Sequence, residues 1–230
     1  MKNLNKVVAL VLCLFFAQFA WGSEGIIFDN QALVVVNANG VLTGYYDAED
    51  DKRSCSFLFV QVGNEVKQHA QSPYSEVRIL TFVSRVSDFT FAGRDRSFDI
   101  DGVLYKRDAT WLIRTDVGQA GCENALGAFV SYPRDKVGGE IFAVQKRIPA
   151  TGIRLANRKS FFYDLRAGEF VARKGYLSKR DGVIVLQTRD QFSYVRFADP
   201  RVNVANPGRV TTGWVRTADL VNPFPPPNTH

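Results

Sequence analysis

Apolar and polar positions alternate in short runs along this chain, and no stretch carries the stripe of a surface helix. The segment "ALVVVNANGVLTGYYDA" (32–48) sets β-branched and apolar residues on both sides of Asn39-Gly40, the dipeptide that suits a two-residue hairpin turn. In "SCSFLFVQV" (54–62), Cys55, Phe57 and Phe59 share one face, which predicts that Cys55 points into a core. "EVRILTFVSRV" (76–86) and "DFTFAGRDRSFDIDGVLYKRDATWLIRT" (88–115) continue the pattern, with Phe89 and Phe91 on one face and a further turn expected at Asp101-Gly102. "GAFVSYP" (127–133) and "GGEIFAVQKRI" (138–148) close a region of about eight strands, and "CENAL" (122–126) breaks the alternation enough to predict a short helical turn from Glu123. An antiparallel barrel or sandwich is the packing that buries such strands.

Beyond the punctuation "IPATG" (148–152) a second all-β unit is expected. Val183 and Val185 face one side of their strand while Ile184 and Leu186 face the other, so both faces need cover, as in a small closed barrel. "LSKRD" (177–181), the strand Val183–Leu186, "FSYVRF" (192–197), Gly213-Trp214-Val215 and the terminal "TADL" (217–220) follow in order. Together they resemble the bacterial SH3-like (SH3b) family over about 70 residues. The early loop signature of that family is missing, and "DPRVNVANPGRV" is inserted between the last two hairpin strands. The resemblance implies a small SH3-like β-barrel of a kind that binds cell-wall glycopeptide or peptides. The expected fold is therefore all-β: an N-terminal antiparallel barrel or sandwich over residues 23–150, an SH3-like unit over 151–222, and a disordered, proline-rich tail over 223–230.

The ends change the picture of where this fold works. Lys2 and Lys6 precede an apolar run from Val7 to Trp21 broken by Gln18, and Ala20 and Gly22 supply the small residues of a cleavage site. That layout is a secretory signal peptide over 1–22, its apolar core too short for a membrane span. Export to the periplasm is expected, with no transmembrane anchor. Cys13 leaves with the signal, and the mature chain keeps two cysteines, Cys55 and Cys122, which an oxidising compartment turns into a disulfide. Closing so long a loop is worth on the order of 4 kcal/mol in the chain-entropy treatment.

Charge divides the mature chain. Residues 23–150 hold 14 Lys and Arg against 17 Asp and Glu, a net of −3, and residues 151–222 hold 13 against 6, a net of +7. The basic unit would steer anionic partners to itself. Nucleic acid is not expected of an exported chain of mixed charge.

Catalytic chemistry is hard to assemble. A thiolate at Cys122 needs a base, and the mature chain offers only His69 and the terminal His230. No Gly-x-Ser-x-Gly elbow, phosphate loop or cysteine–histidine cluster occurs, and the glutamates are scattered. "DAEDDKR" (47–53) lacks the glycine and terminal glutamate of an EF-hand loop and reads as a solvated hairpin tip.

The expectation is accordingly a non-enzymatic envelope protein without cofactor or metal, of the inhibitor or immunity type, that binds another exported protein. Direct binding of peptidoglycan or another anionic envelope polymer is the alternative, and a wall hydrolase comes third. Candidate binding residues are Tyr45 and Tyr46 beside the acidic run, Arg94, Asp95 and Arg96 in a dense charged loop, and Phe162, Tyr163, Lys179, Arg180, Tyr194 and Trp214 in the second unit.

Overall fold

The computed structural model describes residues 22–68, 72–119, 122, 126–127, 129–133 and 140–226. Residues 1–21 of the expected signal, His69, His230 and the helical turn expected at Glu123 lie outside the described residues. Eight strands close in sequence order into an antiparallel barrel: β1 (Glu24–Phe28), β2 (Leu33–Ala38), β3 (Val41–Glu49), β4 (Ser54–Gln68), β5 (Ser75–Val83), β6 (Asp95–Arg107), β7 (Thr110–Thr115) and β8 (Ile141–Pro149). Seven more follow: β9 (Gly152–Ala156), β10 (Ser160–Arg166), β11 (Glu169–Leu177), β12 (Gly182–Arg189), β13 (Phe192–Ala198), β14 (Val210–Arg216) and β15 (Leu220–Val221). They form a curled sheet in the order β11-β10-β14-β13-β12-β9-β15, with a single 3-10 turn, Thr217–Asp219, before the last strand.

The β2–β3 hairpin turns at Asn39-Gly40, where both residues take positive φ (54° and 85°) as that dipeptide allows. An eight-stranded barrel is wide enough for side chains to fill or for one small ligand. Here side chains fill it. Phe28 lies edge-on to Trp111 and Phe142, with centroids 5.4 and 5.9 Å apart, and Phe57 and Phe59 point inward from β4 beside Cys55.

Between β7 and β8 the barrel ladder spans only three residue pairs, Thr110 to Leu112 against Ala143 to Ile141. The chain that links these strands makes up the difference, and "GAFVSYP" is no strand in its described residues. Leu126 and Phe129 are buried in the barrel core instead. The Thr115 N–H donates to the Phe129 carbonyl at 2.6 Å, and the Tyr46 hydroxyl donates to the Leu126 carbonyl at 2.5 Å. Cys122, on the same link, is disulfide-bonded to Cys55 across 67 positions of sequence.

The turn expected at Asp101-Gly102 is also absent. Both residues lie within β6, where Gly102 is buried so close to the Arg114 carbonyl that a β-carbon would not fit. The glycine serves a close backbone approach, and the reversal comes at Asp108, with φ 52°. Phe89 and Phe91 precede β6 in irregular chain, and both rings turn toward the second unit.

Among the described residues three apolar clusters organise the fold. One fills the barrel. A second, built from Phe162, Leu177, Val183, Val185, Val195 and Val215, lies in the hollow of the curled sheet. The third joins the two units: Ile27, Val34, Val36, Leu58 and Phe82 on the outside of the barrel meet Ile153, Leu155 and Ile184 on the outer face of the curled sheet. Alternation along β12 thus sends Val183 and Val185 inward and Ile184 to the barrel. Pro223 and Phe224, expected to open a disordered tail, are buried, and the Phe224 ring packs edge-on to Phe82 at 6.1 Å.

Candidate functional site

The outer face of the curled sheet docks on the barrel at β9 and β12, but it continues across β13, β14, β10 and β11. Ile184 stands opposite Arg196, so the outward residues of β13 are Phe192, Tyr194 and Arg196. Tyr194 stands opposite Trp214, and Trp214 opposite Tyr163, which puts three aromatic side chains in one row across three strands. Tyr194 and Trp214 centroids lie 5.2 Å apart. Two further rings frame the row. Phe170 stacks on Phe192 at 3.9 Å and meets Trp214 edge-on at 5.4 Å, while Tyr163 meets Phe192 at 5.0 Å. Trp214 is the buried centre, 7% exposed; the four rings around it are half-buried.

Cations and hydroxyls rim this face. Arg216 Nε donates to the Tyr163 hydroxyl at 3.3 Å, and the Tyr194 hydroxyl donates to Thr212 Oγ1 at 3.2 Å. On the opposite face, beside the buried Phe162, Arg166 and Arg173 share Asp164, at 3.0 and 3.3 Å, while on the aromatic face Arg189 lies 3.6 Å from Asp190. Further along β10 and β11, Lys159 sits over the Tyr176 ring at 4.0 Å and the Phe161 ring at 5.1 Å. Such a surface offers flat π-faces with hydrogen-bond donors at their edges.

The seam between the units holds two acids that burial shifts upward, Asp47 and Asp181. The Tyr45 hydroxyl donates to Asp47 Oδ2 at 2.6 Å. Burial pushes the Asp47 carboxyl up to about 7, opposed by that hydrogen bond and reinforced by Glu49 and Asp181. Burial likewise pushes Asp181 up to about 6, opposed by the Ser178 N–H it accepts. The same burial, with Asp47 beside it, raises Tyr45 well above the usual phenol value. Perturbed carboxylates mark functional sites often enough to examine the space around them. One hollow, lined by residues such as Gln31, Tyr45, Asp47 and Arg196, holds about 20 Å³, and a neighbouring one beside Ser56 and Arg180 holds the same. Each has room for about one water, far below a substrate pocket. Among the described residues no group of three His, Cys, Asp or Glu gathers to hold a metal.

The candidate residues therefore part into separate places. Tyr163, Tyr194 and Trp214 come together on the outer face. Tyr45, Lys179 and Arg180 come together at the seam: Lys179 lies 5.6 Å over the Phe89 ring, and the Arg180 N–H donates to the Ala156 carbonyl at 2.8 Å. Tyr46 is inside the barrel and Phe162 inside the curled sheet, each 2% exposed, so neither presents a ring to a partner.

Arg94 is spent within its own loop, gripping Asp99 with contacts of 2.9 to 3.2 Å and lying 3.9 Å over the Phe91 ring. Asp95 accepts from the Ser97 hydroxyl at 2.7 Å, and Arg96 is exposed beside it. Phe170 and Phe192 belong to the aromatic face but were not singled out by sequence. Their positions next to two-residue turns, at Ala167-Gly168 and Asp190-Gln191, were the available signal. No family model matches the chain, and neither a curated protein nor a solved structure matches it.

Proposed function

We propose that this chain is an exported, non-enzymatic binding protein of the cell envelope, of the inhibitor or immunity type, which holds another exported protein against the aromatic face of its second sheet. The observation that carries this reading is the continuity of one apolar surface: the end of the sheet face at β9 and β12 is covered by the barrel, and the end bearing Tyr163, Trp214 and Tyr194 is not. A large aromatic patch rimmed by polar groups is the common form of a protein interface. The disulfide supports passage through an oxidising compartment, and the packed barrel favours recognition by surface over capture of a small ligand. No helix among the described residues is long and apolar enough to cross a membrane.

The test is reconstitution. The mature protein is used to capture a partner from envelope extract, the partner is purified, and the pair is titrated by calorimetry. A stoichiometric complex weakened by Tyr194→Ala together with Arg216→Glu supports the reading. Loss of binding on reconstitution with pure components, or indifference to both substitutions, overturns it.

A second reading has one observation in its favour: rings in a row across adjacent strands also suit the flat faces of sugar residues, as peptidoglycan would present. Co-sedimentation of the mature chain with purified sacculi, lost on Tyr194→Ala, would favour that reading instead.

A further inference from the structure

We infer that the partner contributes an extended, acidic segment that adds to the curled sheet as a further strand alongside β11. This rests on the reading of the aromatic face as the binding surface and specifies what lies against it.

The two edges of the sheet are treated differently. β15 is two residues long and runs directly into Asn222-Pro223, with Pro225 and Pro226 close behind, so its edge is short and poor in donors. β11 is nine residues long, contains no proline, pairs only with β10, and leaves Val171 and Ala172 exposed. Among the described residues no strand lies beyond it.

The register says which groups are free to accept a strand. β10 and β11 are joined by Ala167-Gly168, both at positive φ (50° and 89°), a two-residue turn. Residues flanking such a turn exchange both backbone hydrogen bonds, so Arg166 pairs in this way with Glu169 and, two positions on, Asp164 with Val171. The N–H and C=O groups of the intervening residues, Phe170 and Ala172, therefore point away from β10 to the open side. The same alternation turns Tyr163 toward β14, where it meets Trp214 as observed. Beyond Ala172 the register slips, with Arg173, Lys174 and Gly175 set against Phe162 alone, which bends the strand and confines the open stretch to its first half.

The side chains set the chemistry of the guest. Phe170 stands on this open stretch and stacks on Phe192 at the margin of the aromatic face, so an apolar side chain at alternate positions of the added strand would extend that face. At the turn end of the stretch Glu169 and the Asp164-paired Arg166 offset each other, and exposed Lys174 stands past its other end in a unit of net charge +7, which favours acidic residues between the apolar ones.

The probe is a short fluorescent peptide of alternating valine and glutamate, titrated against the mature protein by anisotropy. Two versions N-methylated on alternate residues, one for each set of amides, keep the side chains but cannot pair on the methylated side. Binding of the parent peptide should be lost in at least one methylated version and weakened about tenfold by Ala172→Pro, which removes an outward donor and no ladder bond. Because a proline can disturb the hairpin, amide exchange in the unaltered protein gives a second readout: the Phe170 and Ala172 amides should slow when peptide is added. Equal binding of both methylated versions, no slowing at those two amides, or no binding of the parent peptide overturns the inference. A partner complex that depends on Tyr194 and Arg216 but ignores Ala172→Pro would leave the aromatic-face reading standing and remove strand addition alone.

Discussion

The ring of Tyr45 lies against Gly182 so closely that a β-carbon there would overlap it. Tyr45 comes from barrel strand β3 and Gly182 opens β12, so the absence of a side chain on one unit seats an aromatic ring of the other. Gly182→Ala should therefore cost about 1–3 kcal/mol, the range for forcing extra volume into a packed site, read as a lower urea midpoint. Unchanged stability would mean that the seam is looser than this contact implies.

The acids behind Tyr45 give the seam a pH dependence with a definite sign. Asp47 and Asp181 hold their protons to about 7 and about 6, whereas an unfolded aspartate releases its own near 3.8. Between about pH 4 and pH 7 the folded state binds more protons than the unfolded one, so stability falls as pH rises through that window and levels off above it. Asp50, Asp88, Asp95 and Asp199 are shifted the other way and act only below the window. In urea titrations, Asp47→Asn should gain on the unaltered protein between about pH 5 and about pH 7.5. A constant difference across that range would contradict the burial of the Asp47 charge.

The link between β7 and β8 is fastened by the disulfide, by Tyr46 and by the two side chains it inserts in the barrel. Replacing Cys55 and Cys122 with serine should cost on the order of 4 kcal/mol, as expected for a long closed loop. Tyr46→Phe, which keeps the ring between Phe57 and Phe129 but leaves the buried Leu126 carbonyl unpaired, should cost about 1–3 kcal/mol. In both variants the Thr115 amide, which donates to Phe129, should exchange with solvent faster than in the parent. Unaltered protection at Thr115 would show that the link holds without these fastenings.

Strand existence and facing were legible in the sequence because both rest on alternation. Cys55, Phe57 and Phe59 point into the barrel, and Val183 and Ile184 point to opposite cores, as their spacing requires. What spacing does not carry is the depth of each face. Tyr45 and Tyr46 sit beside an acidic run and look like surface residues, yet closure of the barrel puts one inside it and docking of the second unit covers the other. Gly102 looks like a turn because glycine follows aspartate, but a glycine that makes room for a neighbouring carbonyl has the same sequence signature. The aromatic row was half legible: Tyr163, Tyr194 and Trp214 were named singly, while their meeting depends on registers that no single strand encodes.

The insertion between β13 and β14 ties the two units together at its beginning. The Glu49 N–H donates to the Pro200 carbonyl and the Val202 N–H to the Glu49 carbonyl, both at 2.9 Å, a parallel bridge from barrel to loop. Asp199 holds the loop in shape by accepting from Arg201 at 2.6 and 2.8 Å, and that hydrogen bonding lowers the Asp199 pKa from its ordinary value. With the apolar seam beneath it, this bridge should make the two units unfold as one. Calorimetry of the chain from residue 23 onward is expected to show a single transition. Asp199→Ala loosens the bridge without touching either core, and Gly182→Ala wedges the seam; combined, they should split the melt into two transitions, with the Trp111 signal following the barrel and the Trp214 signal the curled sheet. A double variant that still melts in one transition would show that the apolar contacts of Ile153, Leu155 and Ile184 alone suffice to couple the units.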